Sequence, residues 1–389
     1  MTRREWMIAT AAAAAAASKP MMGAAPASPV AIAKCRTYGP ELVTTLNTMF
    51  DQIGGLERIV RGKTVAMKVN LTGSANYRLG YTPAELAHWT HPAVMGATIA
   101  AMNRAGAKRV RILESAWSTA EPVEEVMLEA GWDVSHLLNA GGKVEMENTN
   151  WLGQAKKYSS FKPANGGHLF REYMLNHSYE DCDVFVSVAK LKEHVTTGVT
   201  MSMKNLFGIT PCTIYGDGVT TDEPLIIPKG GRGSVFHAGK KQPAKIAVAE
   251  NDPSSSRQAG YRVPRAVADL VSARPIHLAI VDGIATMAGG EGPWCGPQVK
   301  QATPGVMIVG TNPVCTDAVC TALMGFDPSA DRGKAPFETA DNMMLLAEKH
   351  GVGTADLSRI EVLGTPIAAA RFDMRSFRAP VTGNRRNRA

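Results

Sequence analysis

The sequence predicts an α/β fold: a mostly parallel sheet with helices on both faces, in two lobes around a central cleft. Three observations carry this. Short apolar runs alternate with segments of helical period, as in a parallel sheet covered by helices. The helical segments carry start and stop signals, such as Pro92 at an opening turn and Gly106 just past an end. Several apolar runs end in Asn, Glu, Asp or Lys and pass into glycine-bearing loops. Open α/β sheets bind ligands beyond the carboxyl ends of their strands.

In chain order, residues 28–36 read as a lead-in and 64–70 (TVAMKVN) as the first strand, with 73–88 polar and looped. A helix is expected over 92–105, a strand over 109–113 and a helix over 121–130. Residues 141–180, rich in Gly, Asn, Lys and Tyr, read as an inserted lobe. The run 183–189 (DVFVSVA) is a buried strand, 265–272 a helix and 276–282 (IHLAIVD) a strand ending in an acid. A tight loop at 289–296 follows, then a strand at 306–310, helices at 316–324 and 342–350, and a last strand at 360–363. Residues 28–374 are expected to form one large domain.

Apolar residues make up 45% of the chain and charged residues 20%, as in a globular protein. The net charge of +7 is concentrated at the ends. Residues 1–27 contribute +2 and 375–389 contribute +5, so the 28–374 body is neutral. A neutral body lacks the field that holds a polyanion, so nucleic acid is not an expected partner. The basic stretch 375–389 reads as a disordered tail.

Arg3 and Arg4 precede an uncharged alanine-rich run, residues 8–18, and the small-x-small triplet Ala25-Pro26-Ala27. This is a signal-peptide layout, and the paired arginines resemble a twin-arginine signal. The run is about half of the roughly twenty residues a bilayer span needs, so no membrane anchor is expected. The translocase of that route would be a transient partner, and the mature protein would be periplasmic or otherwise extracytoplasmic. No two of the six cysteines form a Cys-x-x-Cys pair, so no ferredoxin-type cluster is expected.

Chemistry-bearing residues are densest in the loop 190–208, directly after the strand 183–189. Lys190, Lys192, His194, Lys204 and Asn205 lie there among hydroxyl residues, with Gly198 and Gly208. Ammonium groups, hydroxyls and backbone N–H groups together suit an anion; a solvated surface loop is the plain alternative. Asn70 ends the first strand, and Glu114-Ser115 ends the second on the same edge. Asp282 ends a later strand, and Glu291 sits among glycines. These acids are candidates for a divalent metal or for orienting a histidine or lysine. Asp317 is either functional or a helix-start acid that favours the dipole. No His-x-x-x-His, Gly-x-Ser-x-Gly, Walker or Rossmann fingerprint is present.

The stretches AKLKEH (189–194) and TMSMKNLFG (200–208) resemble the signature of the domain-of-unknown-function 362 family. KVNL (68–71), THP (90–92), AGAKRVRILES (105–115), IVDGIATMAGGEGP (280–293), GTNPVCTDAV (310–319) and MGFDP (324–328) match in the same order. The resemblance implies an α/β fold with no settled activity. A remoter likeness is to the nickel-pincer lactate racemase family, in which a cofactor-bearing lysine follows a histidine by ten positions, as Lys204 follows His194 here. The racemases' Thr-Arg-Pro phosphate site corresponds to Thr90-His91-Pro92, where His replaces Arg. Their further metal-binding histidine has its nearest counterpart in His237.

These readings give two hypotheses. The first is an enzyme with His194 as base or ligand and Lys204 as charge clamp or nucleophile. Asn70, Thr90, His91, Glu114, Ser115, Lys190, Lys192 and Asn205 would contact an anionic ligand, and His194, His237, Asp282 and Glu291 a metal. The second is a non-catalytic carrier of an anionic ligand, or an accessory to an exported redox partner.

Overall fold

The protein is described by a computed structural model covering residues 24–377 except 154 and 221. The expected signal up to residue 23 and the tail beyond residue 377 lie outside the described residues. Eight strands form one sheet: β1 (Val30–Lys34), β2 (Thr64–Lys68), β3 (Arg109–Glu114), β4 (Val144–Asn148), β5 (Val184–Lys190), β6 (Leu278–Gly283), β7 (Val306–Gly310) and β8 (Val362–Gly364). Their spatial order is β8-β1-β7-β6-β5-β2-β3-β4. From β4 to β6 all neighbours are parallel, and β1 pairs parallel with β8. β7 runs against both of its neighbours. The reversal follows from its connection: β6 returns through a short ribbon, Thr286–Ala288 with Lys300–Ala302, rather than through a helical crossover.

Every residue of β2, β5, β6 and β7 is buried, because both faces of the sheet are covered. One core joins Val65, Met67, Val186 and Ile280 to helices α1 (Pro40–Gln52) and α2 (Pro92–Arg104). The other joins Ala66, Phe185 and Val281 to α3 (Met201–Asn205), α4 (Ala259–Ala273), α5 (Pro313–Leu323) and α6 (Met343–Lys349). In α1 the residues Leu42, Leu46, Met49 and Phe50 make one buried stripe, each contributing roughly 1.5–3 kcal/mol by burial. α2 starts as its sequence predicts, with Pro at the first turn, while α5 starts at Pro313, three residues before the expected 316. His91 caps Ala93 N in α2, and Asn312 caps Val314 N and Cys315 N in α5.

Several expectations need correction. Residues 30–34 are not a lead-in but a central strand between β7 and β8. Their apolar run is short, and what makes it a strand is its partners. The 141–180 stretch is not a separate lobe: its first part supplies edge strand β4, and its later part a hairpin, Tyr158–Phe161 with Tyr173–Asn176. The helix expected over 265–272 is longer: α4 begins six residues earlier, at Ala259, and carries Pro264 inside it. The cleft lies at the carboxyl edge of a single sheet. Ala25 is buried, and its carbonyl and that of Pro26 accept from Arg359 Nη2 and Thr354 N. All six cysteines are free, and no helix among the described residues is long and apolar enough to cross a membrane.

Candidate functional site

β2 and β5 are sheet neighbours, yet the chain leaves β2 toward β3 on one side and reaches β5 only after β4. This is a topological switch point, where connections diverge and leave a crevice at the carboxyl ends. A cavity of about 410 Å³ opens there. β2 leads into it with Lys68 and Asn70, β3 with Glu114, Ser115 and Trp117, and the segment after β5 with Lys192 and His194. Helix α3 adds Lys204 and Asn205, and the loop after β6 adds Glu291 and Trp294. A segment that sequence reading left unassigned supplies Asp217, Arg232 and, from a single π-helical turn (Gly233–His237), His237.

The loop 190–208 and the turn around Glu291 therefore meet in one cleft. Glu291 accepts from Val195 N at 2.9 Å, and its backbone carbonyl accepts from Lys192 Nζ at 3.1 Å. His194 Nδ1 lies 3.6 Å from the Glu291 carboxylate but accepts a hydrogen bond from Thr196 N at 3.1 Å. With Nδ1 acting as acceptor, the neutral ring carries its proton on Nε2 and offers a donor. Burial, with Lys204 and Lys192 nearby, pushes the His194 pKa down to about 3, although Glu291 opposes the shift. Burial and Lys204 likewise take His237 down to about 4. Burial pushes the Glu291 carboxyl up, but the His194 ring and the Val195 N–H hold it below the usual carboxylate range.

The cations differ in how they are compensated. Lys68 Nζ is 2.5 Å from Glu114 Oε1, and both side chains are buried. Gly208 makes room for this pair, since a Cβ there would lie 3.0 Å from Lys68 Nζ. Lys192 donates to the carbonyls of His88 and Glu291 and, among the described residues, has no carboxylate within ion-pair distance. Arg232 donates to the Thr210 and Trp117 carbonyls and to the Asn150 side chain. The Lys204 ammonium, among the described residues, contacts only the Phe207 ring, 4.4 Å from its centroid. Burial is the first cause that lowers both lysines, Lys192 to about 7 and Lys204 to about 8, while Glu291 opposes each shift. Two polar atoms of the lining, Asn70 Oδ1 and His237 Nδ1, are buried without a hydrogen-bond partner.

α3 is aimed by Asp317 of α5, which accepts from Ser202 N, Ser202 Oγ and Met203 N at 2.9, 2.5 and 2.9 Å. Asp317 is thus an acid at a helix start, but the helix it serves is the one that carries Lys204. Asn205 donates to the Lys68 carbonyl and Ser187 Oγ, and Ser115 Oγ shares a hydrogen bond with Thr149 Oγ1.

Four expected site residues lie elsewhere. Lys190 and Asp282 form a buried pair at 2.8 Å, 0% exposed on both sides, joined by the Tyr38 hydroxyl and the Glu85 carbonyl. His91 stacks on Tyr38 at 3.6 Å with its Nδ1 used as the α2 cap, and its backbone N–H donates to Asp282. The Thr90 hydroxyl accepts from Asn70 N and donates to the Val188 carbonyl. Nor are the four expected metal ligands gathered. Among the described residues, the one His/Cys/Asp/Glu trio with ligand atoms within 4.8 Å is His168, Asp269 and His350, away from this cleft. There Asp269 already accepts from His168 N, Leu169 N, Tyr173 OH and His350 Nε2.

Sequence reading missed Lys68, Arg232, Trp117 and Trp294. Lys68 reads as one polar residue of an alternating strand, and Arg232 lies in a stretch without periodicity. Both tryptophans sit in loops next to quoted motifs, which was the available signal.

Compared with known proteins, residues 65–322 match the family model described as Domain of unknown function (DUF362). No curated protein matches. Among solved structures, the crystal structure of a Thermotoga maritima protein, a structural-genomics target, aligns with 14% identity and a TM-score of 0.35. The alignment covers 66% of this chain and 52% of that one, so the chain spans about half the length of that protein.

Proposed function

The chain belongs to the DUF362 family, and we propose that its cleft binds a small anionic ligand through Lys204 and Lys192. The observation that carries this reading is that Lys204, whose ammonium rests on the Phe207 ring, has only the more distant Glu291 to balance its charge. A half-buried ammonium with no carboxylate at ion-pair distance among the described residues is under-compensated in the empty protein. A ligand carboxylate, phosphate or sulfonate supplies the missing charge and restores the lysine's proton affinity. Arg232, Lys192 and the Nε2–H of His194 add donors around the same volume, and Glu291 orders the His194 loop.

A lysine that titrates near pH 8 also suits amine chemistry, as nucleophile or proton acceptor. This favours an enzyme over a passive carrier. A divalent metal or a racemase-type metal cofactor does not fit the residues present. His194 Nδ1 is occupied by a backbone N–H, Asp282 by Lys190, and the remaining donors do not converge. No step is assigned to such a group.

The test is calorimetric binding of simple carboxylates, phosphates and sulfonates to the wild type, Lys204→Ala and His194→Ala. Lys204→Ala is expected to weaken binding at least tenfold, about 1.4 kcal/mol. Equal affinity in wild type and Lys204→Ala overturns the reading. Turnover of a bound anion that disappears in Lys204→Ala separates enzyme from carrier.

We also propose export by the twin-arginine route, on the strength of Arg3, Arg4 and the alanine-rich run. The docking of Ala25 and Pro26 against Arg359 and Thr354 supports a mature N-terminus upstream of Ala25 rather than after Ala27. Intact mass of the protein recovered from the host's periplasm tests both points.

A further inference from the structure

The cleft is cationic inside, but its mouth is aromatic. Trp117 and Trp294 both line the cavity, and Tyr77 touches both rings, with centroids 6.3 and 5.4 Å away. The three side chains are 51%, 40% and 42% exposed, unusually high for large rings grouped together. Neither tryptophan is loosely placed. Trp294 lies against two glycines: a Cβ at Gly73 or Gly292 would come within 2.7 or 2.2 Å of its ring. The His88 ring meets it at 5.5 Å, and its Nε1 donates to Glu291.

Trp117 has a φ of 48°, a left-handed conformation costly for a bulky side chain. Its carbonyl accepts from Asn150 Nδ2 at 3.1 Å and from Arg232 Nη1 at 3.4 Å, which hold the strained backbone in place. One arginine thus fixes the aromatic mouth and contributes charge to the cationic interior. Strain maintained to present an exposed indole marks a ligand contact rather than packing.

Building on the anion reading, we infer that the ligand carries a flat unsaturated ring beside its anionic group. The ring covers the exposed faces of Trp117 and Trp294 while the anion reaches Lys204 and Lys192. Indole faces favour planar π systems by offset stacking, a contribution beyond simple burial. A ligand of this class has its two halves matched to the two halves of the site.

Three matched pairs test this: phenyl and cyclohexyl phosphate, benzenesulfonate and cyclohexanesulfonate, benzoate and cyclohexanecarboxylate. Dissociation constants are measured by calorimetry on the wild type, Trp294→Ala, Trp294→Phe and Trp117→Ala. In the pairs that bind, the aromatic member is expected to bind about tenfold tighter. That ratio should fall toward one in Trp117→Ala and Trp294→Ala and be largely kept in Trp294→Phe. Trp117→Ala keeps the test open if Trp294→Ala unfolds, because Trp117 is the more exposed ring. A ratio near one in the wild type, or a ratio unchanged in Trp117→Ala, overturns the inference and leaves the anion reading standing. Failure of all six compounds to bind removes both.

Discussion

Two groups of lysines, buried except for the half-buried Lys204, lie along the same carboxyl edge of the sheet and have opposite surroundings. Lys190 ends β5 with a carboxylate at 2.8 Å, a tyrosine hydroxyl and a carbonyl around its ammonium. Lys192 follows two residues later with only carbonyls, and Lys204 rests on a phenylalanine ring. Burial costs each of them solvation. In the first case the protein supplies the compensating charge, so the lysine fastens β5 and β6 to the Tyr38 region. In the second only the more distant Glu291 does so, and under the proposed function the remaining charge meets a ligand. Lys68 stands between the two: it lines the cleft yet is satisfied by Glu114. Burial alone therefore does not separate these lysines; the presence or absence of a carboxylate at ion-pair distance among the described residues does.

The largest effect that can break this contrast is on stability. Asp282→Ala leaves Lys190 buried and unpaired, and should cost about 3–5 kcal/mol in urea denaturation. Replacing both partners, Lys190→Met with Asp282→Leu, should recover most of that loss, since an apolar pair leaves no orphaned charge. Lys204→Ala should change stability by no more than about 1 kcal/mol while removing anion affinity. If Lys204→Ala proves as destabilising as Asp282→Ala, the two regions are alike and the contrast fails.

The pH dependence sharpens the comparison with a smaller effect. Lys192 and Lys204 titrate near 7 and 8 when folded, below the ordinary lysine value of 10.5. Between those folded values and 10.5 the unfolded chain holds more protons, so their contribution makes stability rise with pH across that window. The rise should shrink in a Lys192→Met, Lys204→Met double variant, as measured by urea midpoints from pH 6.5 to 10. The same linkage predicts proton uptake when an anion binds near pH 8, read by calorimetry in buffers of different ionisation enthalpy. Binding without proton uptake would mean that the anion does not contact these ammonium groups.

How far the site was legible depended on the kind of signal. Lys192, His194, Lys204 and Asn205 were found because they crowd one loop after an apolar strand. Asn70, Glu114 and Ser115 were found because they end strands of the same edge. Lys190 and Asp282 carry the same signal, yet they pair with each other behind the cleft. Nothing local distinguishes Lys190 from Lys192, because the difference lies in what stands opposite each: Asp282 for the first, the Glu291 carbonyl for the second. Arg232 was hidden because its stretch has no period, and its position is fixed by contacts to Thr210, Trp117 and Asn150 from distant parts of the chain.

The amino-acid order by itself determined the alternation of strands and helices, the start of α2 at its proline-marked cap, and the neutral charge of the body. These are local properties, set by side-chain period and backbone stereochemistry within a few residues. Tertiary structure alone decided that residues 30–34 become a strand within the sheet, that β7 runs backward, and that the switch point falls between β2 and β5. It also decided which buried lysine meets a carboxylate. Each of these is a pairing between segments far apart in the chain, and its free energy exists only once both partners have been brought out of water together.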